Sequence, residues 1–175
     1  MSSEIPASAA PGAPSRRMPS GLIPSGRTPA SRIHASTVVI GEAGILLRGA
    51  SGAGKSSLAL ALIAEARKAG KFARLVADDR TEIGARGGRL LARPVAPLEG
   101  VIERRGLGLT PEPHLEAVVI RLLVDISADE PARMPLPEDL VDRLGGIDLP
   151  RLRIMGRAGE ERLVLTALRL FLDAS

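Results

Sequence analysis

Cysteine, tryptophan and tyrosine are all missing from this chain, and its 175 residues include only two phenylalanines and two histidines. Without cysteine there are no disulfides and no thiolate metal sites, which fits a reducing cytoplasm. With so few rings to stack bases, a nucleic-acid surface is not expected. No apolar run nears the roughly 20 residues that span a bilayer, so no membrane partner is expected either. Neither charge sign dominates: 24 Lys and Arg against 20 Asp and Glu leave a formal net charge of +4. A mildly basic surface suits an acidic protein or a nucleotide as partner.

What is present is aliphatic. Hydrophobic residues make up 45% of the chain, so a core packed from Leu, Ile, Val and Ala is expected. Residues 1–31 differ in kind. Pro, Ser, Gly and Ala dominate there without apolar periodicity, and such a segment cannot offset its ordering entropy by burial. A disordered leader over 1–31 and one folded domain over 32–175 are the expectation.

Within that domain the apolar pattern predicts strands at 38–40 and 45–47, joined by a turn at 41–44 into an antiparallel hairpin. Residues 56–69 are rich in Ala and Leu, lack Pro and Gly, and meet Gly70 where a helix C-cap belongs. Further strands are expected at 72–77, 98–102 and 118–126, with a twisted hairpin over 83–91. Residues 131–137 read as an extended linker. A short helix over 138–144 is expected to close at Gly145 and Gly146. A terminal amphipathic helix over 160–174 is expected to bury Leu163, Ala167, Leu170 and Phe171. Strands outnumber helices, so the fold class is α/β with a mixed sheet.

The most informative run is GASGAGKS, residues 49–56. It fits the phosphate-loop pattern GxxxxGK[ST] through Gly49, Gly54, Lys55 and Ser56, with Ala50, Ser51, Gly52 and Ala53 between them. Glycines let successive backbone N–H groups turn inward toward phosphate oxygens. Lys55 would reach the outer phosphates, and the Ser56 hydroxyl would bind the accompanying magnesium. An apolar strand before the loop and a helix after it supply the context the motif requires.

Some twenty residues on, LVADD ends an apolar run in two carboxylates. Neighbouring strand residues face opposite ways, which gives Asp78 and Asp79 different tasks. One could sit beside a metal while the other takes a proton from an incoming hydroxyl. Pairing with a nearby arginine is the plainer account of either. A third feature is IERRGLGL, residues 102–109, where Glu103 and Arg105 alternate ahead of two glycines. Taken alone it reads as a turn with a surface ion pair.

Taken together and in order, HASTVVIGEAGILLRG, GASGAGKS, RLVADD, IERRGLG and DRLG resemble the catalytic domain of HPr kinase/phosphorylase. The resemblance covers roughly residues 34–154. It implies a phosphate-loop domain related to phosphoenolpyruvate carboxykinase, cytoplasmic and in the family usually hexameric. It further implies a bacterial ATP- and Mg2+-dependent kinase that phosphorylates a serine of the phosphocarrier protein HPr and so regulates the phosphotransferase system. By the same resemblance His34 is an active-site histidine and Lys55 neutralises the transferring phosphoryl group. Ser56 and Glu103 hold magnesium, one of Asp78 and Asp79 (Asp79 on alignment) is the proton acceptor, and Arg105 and Arg143 belong to the active site.

The chain also departs from that pattern. The family's usual N-terminal domain gives way to the Pro/Ser-rich leader, as in short alphaproteobacterial forms. Ser57 replaces a common Glu, and TPEPHLE follows the RGLG. The C-terminal loop that supports phosphate removal in the family is reduced here to IMGRAGEE, which counts against that second activity. Two other classes stay open from sequence: a nucleotide-dependent module that binds HPr without modifying it, and a small-molecule kinase. The second would be expected to carry an Arg-bearing lid, which no segment supplies.

Overall fold

The computed structural model describes residues 30–173. Nearly all of the expected leader therefore lies outside the described residues, and Ser31, expected to end it, opens the first strand. That strand, β1 (Ser31–Ile40), is far longer than the three apolar residues that announced it. Its first residues alternate polar and apolar, which hides a strand from a search for apolar runs.

β1 turns at Gly41 and Glu42 into β2 (Ala43–Gly49), and the two pair antiparallel from Ala35 opposite Arg48 to Ile40 opposite Ala43. Helix α1 (Lys55–Lys68) follows. Gly70 has φ 72° and donates its N–H to the Arg67 carbonyl, the left-handed stop that the sequence pattern required. β3 (Ala73–Ala77) then pairs with β1, and β4 (Arg80–Arg86) and β5 (Arg89–Pro94) form the expected hairpin about Gly87 and Gly88. β6 (Val101–Arg104) and β7 (Gly108–Pro111) make a separate small hairpin. β8 (Val118–Ile126) matches its expected bounds.

Two expectations fail beyond β8. Residues 138–144 are not a helix: a single 3-10 turn (Pro137–Leu140) leads into β9 (Val141–Leu144), which turns at Gly145 and Gly146 into β10 (Ile147–Ile154). The glycine pair is a hairpin turn, not a helix cap. Helix α2 (Glu160–Asp173) forms as expected with its buried face shifted: Ala167 and, in part, Phe171 pack on the core as expected, but the two leucines do not. Val164, Ala167 and Leu168 are buried, whereas Leu163 and Leu170 are about half exposed. With leucine on both sides of the helix, composition could not fix its rotation; the packing partner does.

The large sheet is mixed, as expected. Its order is β2-β1-β4-β5-β8-β10-β9, with β3 alongside β1, and β2 also pairs with β8. β8 lies parallel to both β2 and β10, and the other pairings are antiparallel. Because β2 meets β8, the path β2-β1-β4-β5-β8 closes into a ring. Inside it Val39, Leu46, Ile83, Leu90, Ile120 and Leu123 form one apolar cluster. The other face of β1, β2 and β8 carries Val38, Ile45, Leu47, Leu122 and Val124, covered by α1 and α2. At about 1.5–3 kcal/mol for each large side chain fully removed from water, these two clusters outweigh any surface pair. A consequence for function follows: β2, β3 and β8 run in the same direction, so their C-terminal ends lie on one edge of the sheet.

Candidate active site

Residues 49–56 leave the end of β2 and enter α1 directly. Gly54 takes φ 93° at the N-cap, a left-handed conformation that costs a side-chain-bearing residue more. No side chain caps the helix, and its first turn holds no acidic residue. The first amides of α1 and the positive end of its dipole therefore face the cavity without a local carboxylate to satisfy them. Ala53 N–H is used internally, donating to the Ala50 carbonyl over 3.2 Å.

A cavity of about 430 Å³ opens over this loop. Ser51, Gly52, Gly54, Lys55, Ser56 and Ser57 line its floor; His34, Asp78, Asp79, Glu103 and Arg105 line its wall, with Leu98, Val101 and Leu109. Of the residues singled out in the sequence, all but Gly49, Ala50, Ala53 and Arg143 line it. Gly49 and Ala50 act from beneath: their carbonyls accept hydrogen bonds of 3.0 and 2.8 Å from the Lys55 Nζ. Lys55 is buried, and burial holds its amine below the usual lysine value, an effect opposed by the charges of Asp79 and Asp78.

The two carboxylates differ as their positions require. Asp78 is buried and engaged on both oxygens: Oδ1 accepts the hydroxyls of Ser36 (2.6 Å) and Ser56 (2.8 Å), and Oδ2 accepts the Glu103 N–H (3.1 Å). Asp79 has φ 61°, a left-handed conformation that aspartate tolerates better than most residues, and its side chain is 60% exposed. Its Oδ1 lies 2.9 Å from His34 Nε2, and its Oδ2 pairs with Arg80 at 3.9 Å, the arginine partner the sequence allowed. One carboxylate organises the loop and the other faces the open cavity.

Ser36 was not singled out in the sequence. Ser36 and Thr37 are fully buried hydroxyls, and buried hydroxyls require partners, but their burial shows only in the folded chain. Thr37 and Thr81 hydroxyls lie 2.9 Å apart, and Thr81 also donates to the Ala35 carbonyl. The small hairpin carrying Glu103 and Arg105 is fixed by Arg104, which donates to Thr110 and Glu112, while Glu112 also pairs with Arg67 of α1.

Arg143 is placed elsewhere. It sits on β9 opposite Asp148 at the start of β10, is 68% exposed, and pairs with Asp148 at 3.2 Å. It does not line the loop cavity, although its neighbour Asp142 meets Arg48, the residue before the loop, at 2.6 Å. The IMGRAGEE segment, in contrast, closes over the loop. A Cβ on Gly156 would stand 2.8 Å from the Ala53 carbonyl oxygen and 2.8 Å from Ile126 Cγ2.

Among the described residues no three His, Cys, Asp or Glu side chains gather into a metal cluster. Mg2+ does not require one, since it commonly takes one or two protein ligands and completes its shell from phosphate and water. The Ser56 hydroxyl beside Asp78 is a donor set of that kind.

Residues 27–111 match the HPr Serine kinase C-terminal domain. That segment is similar to the C-terminal domain of the HPr serine kinase family. It contains the loop, the acidic pair, His34, Glu103 and Arg105. The HPr kinase/phosphorylase of Clostridium tetani is 42% identical over 72 residues, which span 41% of this chain and 22% of that protein. The match thus spans about a fifth of the curated relative. The solved structure of the Hpr(Ser) kinase/phosphatase from Coxiella burnetii superposes with a TM-score of 0.66 at 24% identity, over 82% of this chain and 97% of that one. The mixed α/β fold is therefore shared along nearly the whole described chain, beyond the reach of the family match. No helix among the described residues is long and apolar enough to cross a membrane.

Proposed function

We propose that this chain is an ATP-dependent kinase that transfers a phosphoryl group to a serine of the phosphocarrier protein HPr. The observation that carries the reading is the pairing of one buried carboxylate, Asp78, with one exposed carboxylate, Asp79, beside an uncapped, glycine-rich helix N-terminus. Residues 49–56 hold the phosphates of the nucleotide through backbone N–H groups and the α1 dipole. Lys55 swings from the Gly49 and Ala50 carbonyls to the outer phosphates, whose charge favours its protonated form. Ser56 and Asp78, with Glu103 close by, would hold Mg2+. When bound, that ion neutralises charge on the phosphates.

Asp79 takes the proton of the acceptor serine. It is exposed to the cavity, and His34 at 2.9 Å holds it in place. Asp78 is the poorer candidate because its oxygens already serve Ser36, Ser56 and Glu103. Arg105, at the tip of the small hairpin, steadies the negative charge that develops during transfer. Positioning and electrostatics carry most of such a reaction, and proton acceptance adds about 10²–10⁴ in rate. Arg143 stands outside this machinery within one chain.

The test is incubation of the full chain with γ-labelled ATP, Mg2+ and HPr, beside an HPr variant lacking its target serine. Label on HPr that disappears with the serine is the expected result. Label on a metabolite would make the chain a small-molecule kinase, and binding without label a nucleotide-dependent HPr sensor.

A further inference from the structure

We infer a second ligand site, for a small organic anion with an apolar body, in a cavity far from the phosphate loop. It opens where β1 turns into β2, roughly 20 Å along β2 from the loop at the usual strand rise. Its volume is about 550 Å³, within the range of about 300–1,000 Å³ typical of small-molecule sites. Leu165, Leu168 and Leu172 of α2 form one wall, against Val119 of β8.

Four cations surround this apolar floor: Lys71, Arg89, Arg121 and Arg169. None of them makes an ion pair among the described residues, although Glu42 and Asp173 line the same cavity. They come from four separate elements: the segment after α1, the start of β5, the middle of β8, and α2. Arg121 is the sharpest case. It is the extra residue of a bulge in β8, skipped between Ile120 opposite Gly44 and Leu122 opposite Ile45, and it is exposed. The bulge sets a charge at the rim of the cavity.

An apolar floor ringed by unpaired cations is matched by a ligand that buries a hydrocarbon portion and presents a carboxylate or phosphate to the arginines. Inorganic phosphate would miss the floor, and a neutral alcohol would miss the rim. This proposal is independent of the kinase reading, because none of its residues lines the loop cavity.

Calorimetric titration of the full chain with hexyl phosphate tests it, with hexanol and inorganic phosphate as partial probes. Hexyl phosphate is expected to bind, and the Arg121→Gln/Arg169→Gln double variant to bind it about tenfold more weakly or less. Each partial probe should also bind about tenfold more weakly than hexyl phosphate. The Arg121→Lys/Arg169→Lys double variant should retain most of the affinity, and Lys55→Ala all of it. Circular dichroism of each variant should match the parent. Absent binding, equal binding by the Gln double variant, loss in Lys55→Ala, or equal binding of hexanol or inorganic phosphate would each overturn the assignment.

Discussion

Asp79 and Asp78 are adjacent in sequence and opposite in circumstance, which makes them the most decisive pair to substitute. Asp79→Asn preserves size and leaves the Asp78 contacts intact, so nucleotide affinity should persist while transfer to HPr falls about 10²-fold or more. Single-turnover kinetics with HPr separates the two quantities, and undiminished transfer would remove Asp79 from proton acceptance. Asp78→Asn should behave differently. It loses charge-assisted hydrogen bonds from Ser36 and Ser56 at a buried position, so stability and Mg2+-dependent nucleotide affinity should fall together. At Lys55, Ala removes the cation and frees the Gly49 and Ala50 carbonyls. The expected result is weaker ATP binding by calorimetry, and equal affinity would count against the loop assignment.

Elements meet at two places where a single change separates packing from charge. Arg48, the last residue before the loop, bridges Asp125 of β8 at 2.7 Å and Asp142 of β9 at 2.6 Å, and Arg151 of β10 also pairs with Asp125. The hydrogen bond from Arg48 holds the Asp142 carboxyl below its usual value of 3.8. A carboxylate depressed on folding stabilises above its unfolded value, and that contribution fades as pH falls through the folded value. Arg48→Met should therefore lower Tm at neutral pH, by about 2–4 °C for each kcal/mol lost. The difference from the parent should shrink in melts run below pH 4, while a constant gap at every pH would assign the effect to packing. The second place is Gly156. Gly156→Ala drives a methyl into the Ala53 carbonyl and Ile126, so the loop must shift. ATP affinity should drop more than overall stability does, as calorimetry and thermal melts together would read.

For the whole molecule the ring closure and the two apolar clusters set the stability, and exposed pairs add little. Arg143→Ala breaks an exposed pair worth about 0–1 kcal/mol, so its melt should stay near the parent's. Transfer to HPr should also stay near the parent's, because Arg143 does not line the loop cavity; a large loss would instead place Arg143 in the active site.

Sequence by itself determined the elements whose signals are local: the glycine loop, α1 with its Gly70 stop, the β4–β5 hairpin and β8. It also singled out His34, Lys55, Ser56, the aspartates, Glu103 and Arg105, because their motifs keep fixed order and residue type. Residues 138–144 misled because a polar segment before two glycines fits a capped helix and a hairpin equally well. Only the partner strand β10 separates them. The rotation of α2, the closure of β2 onto β8, and the different surroundings of Asp78 and Asp79 were likewise decided by tertiary structure. Each depends on which surfaces meet across long stretches of chain, and burial and hydrogen-bond satisfaction act between those surfaces rather than along the sequence.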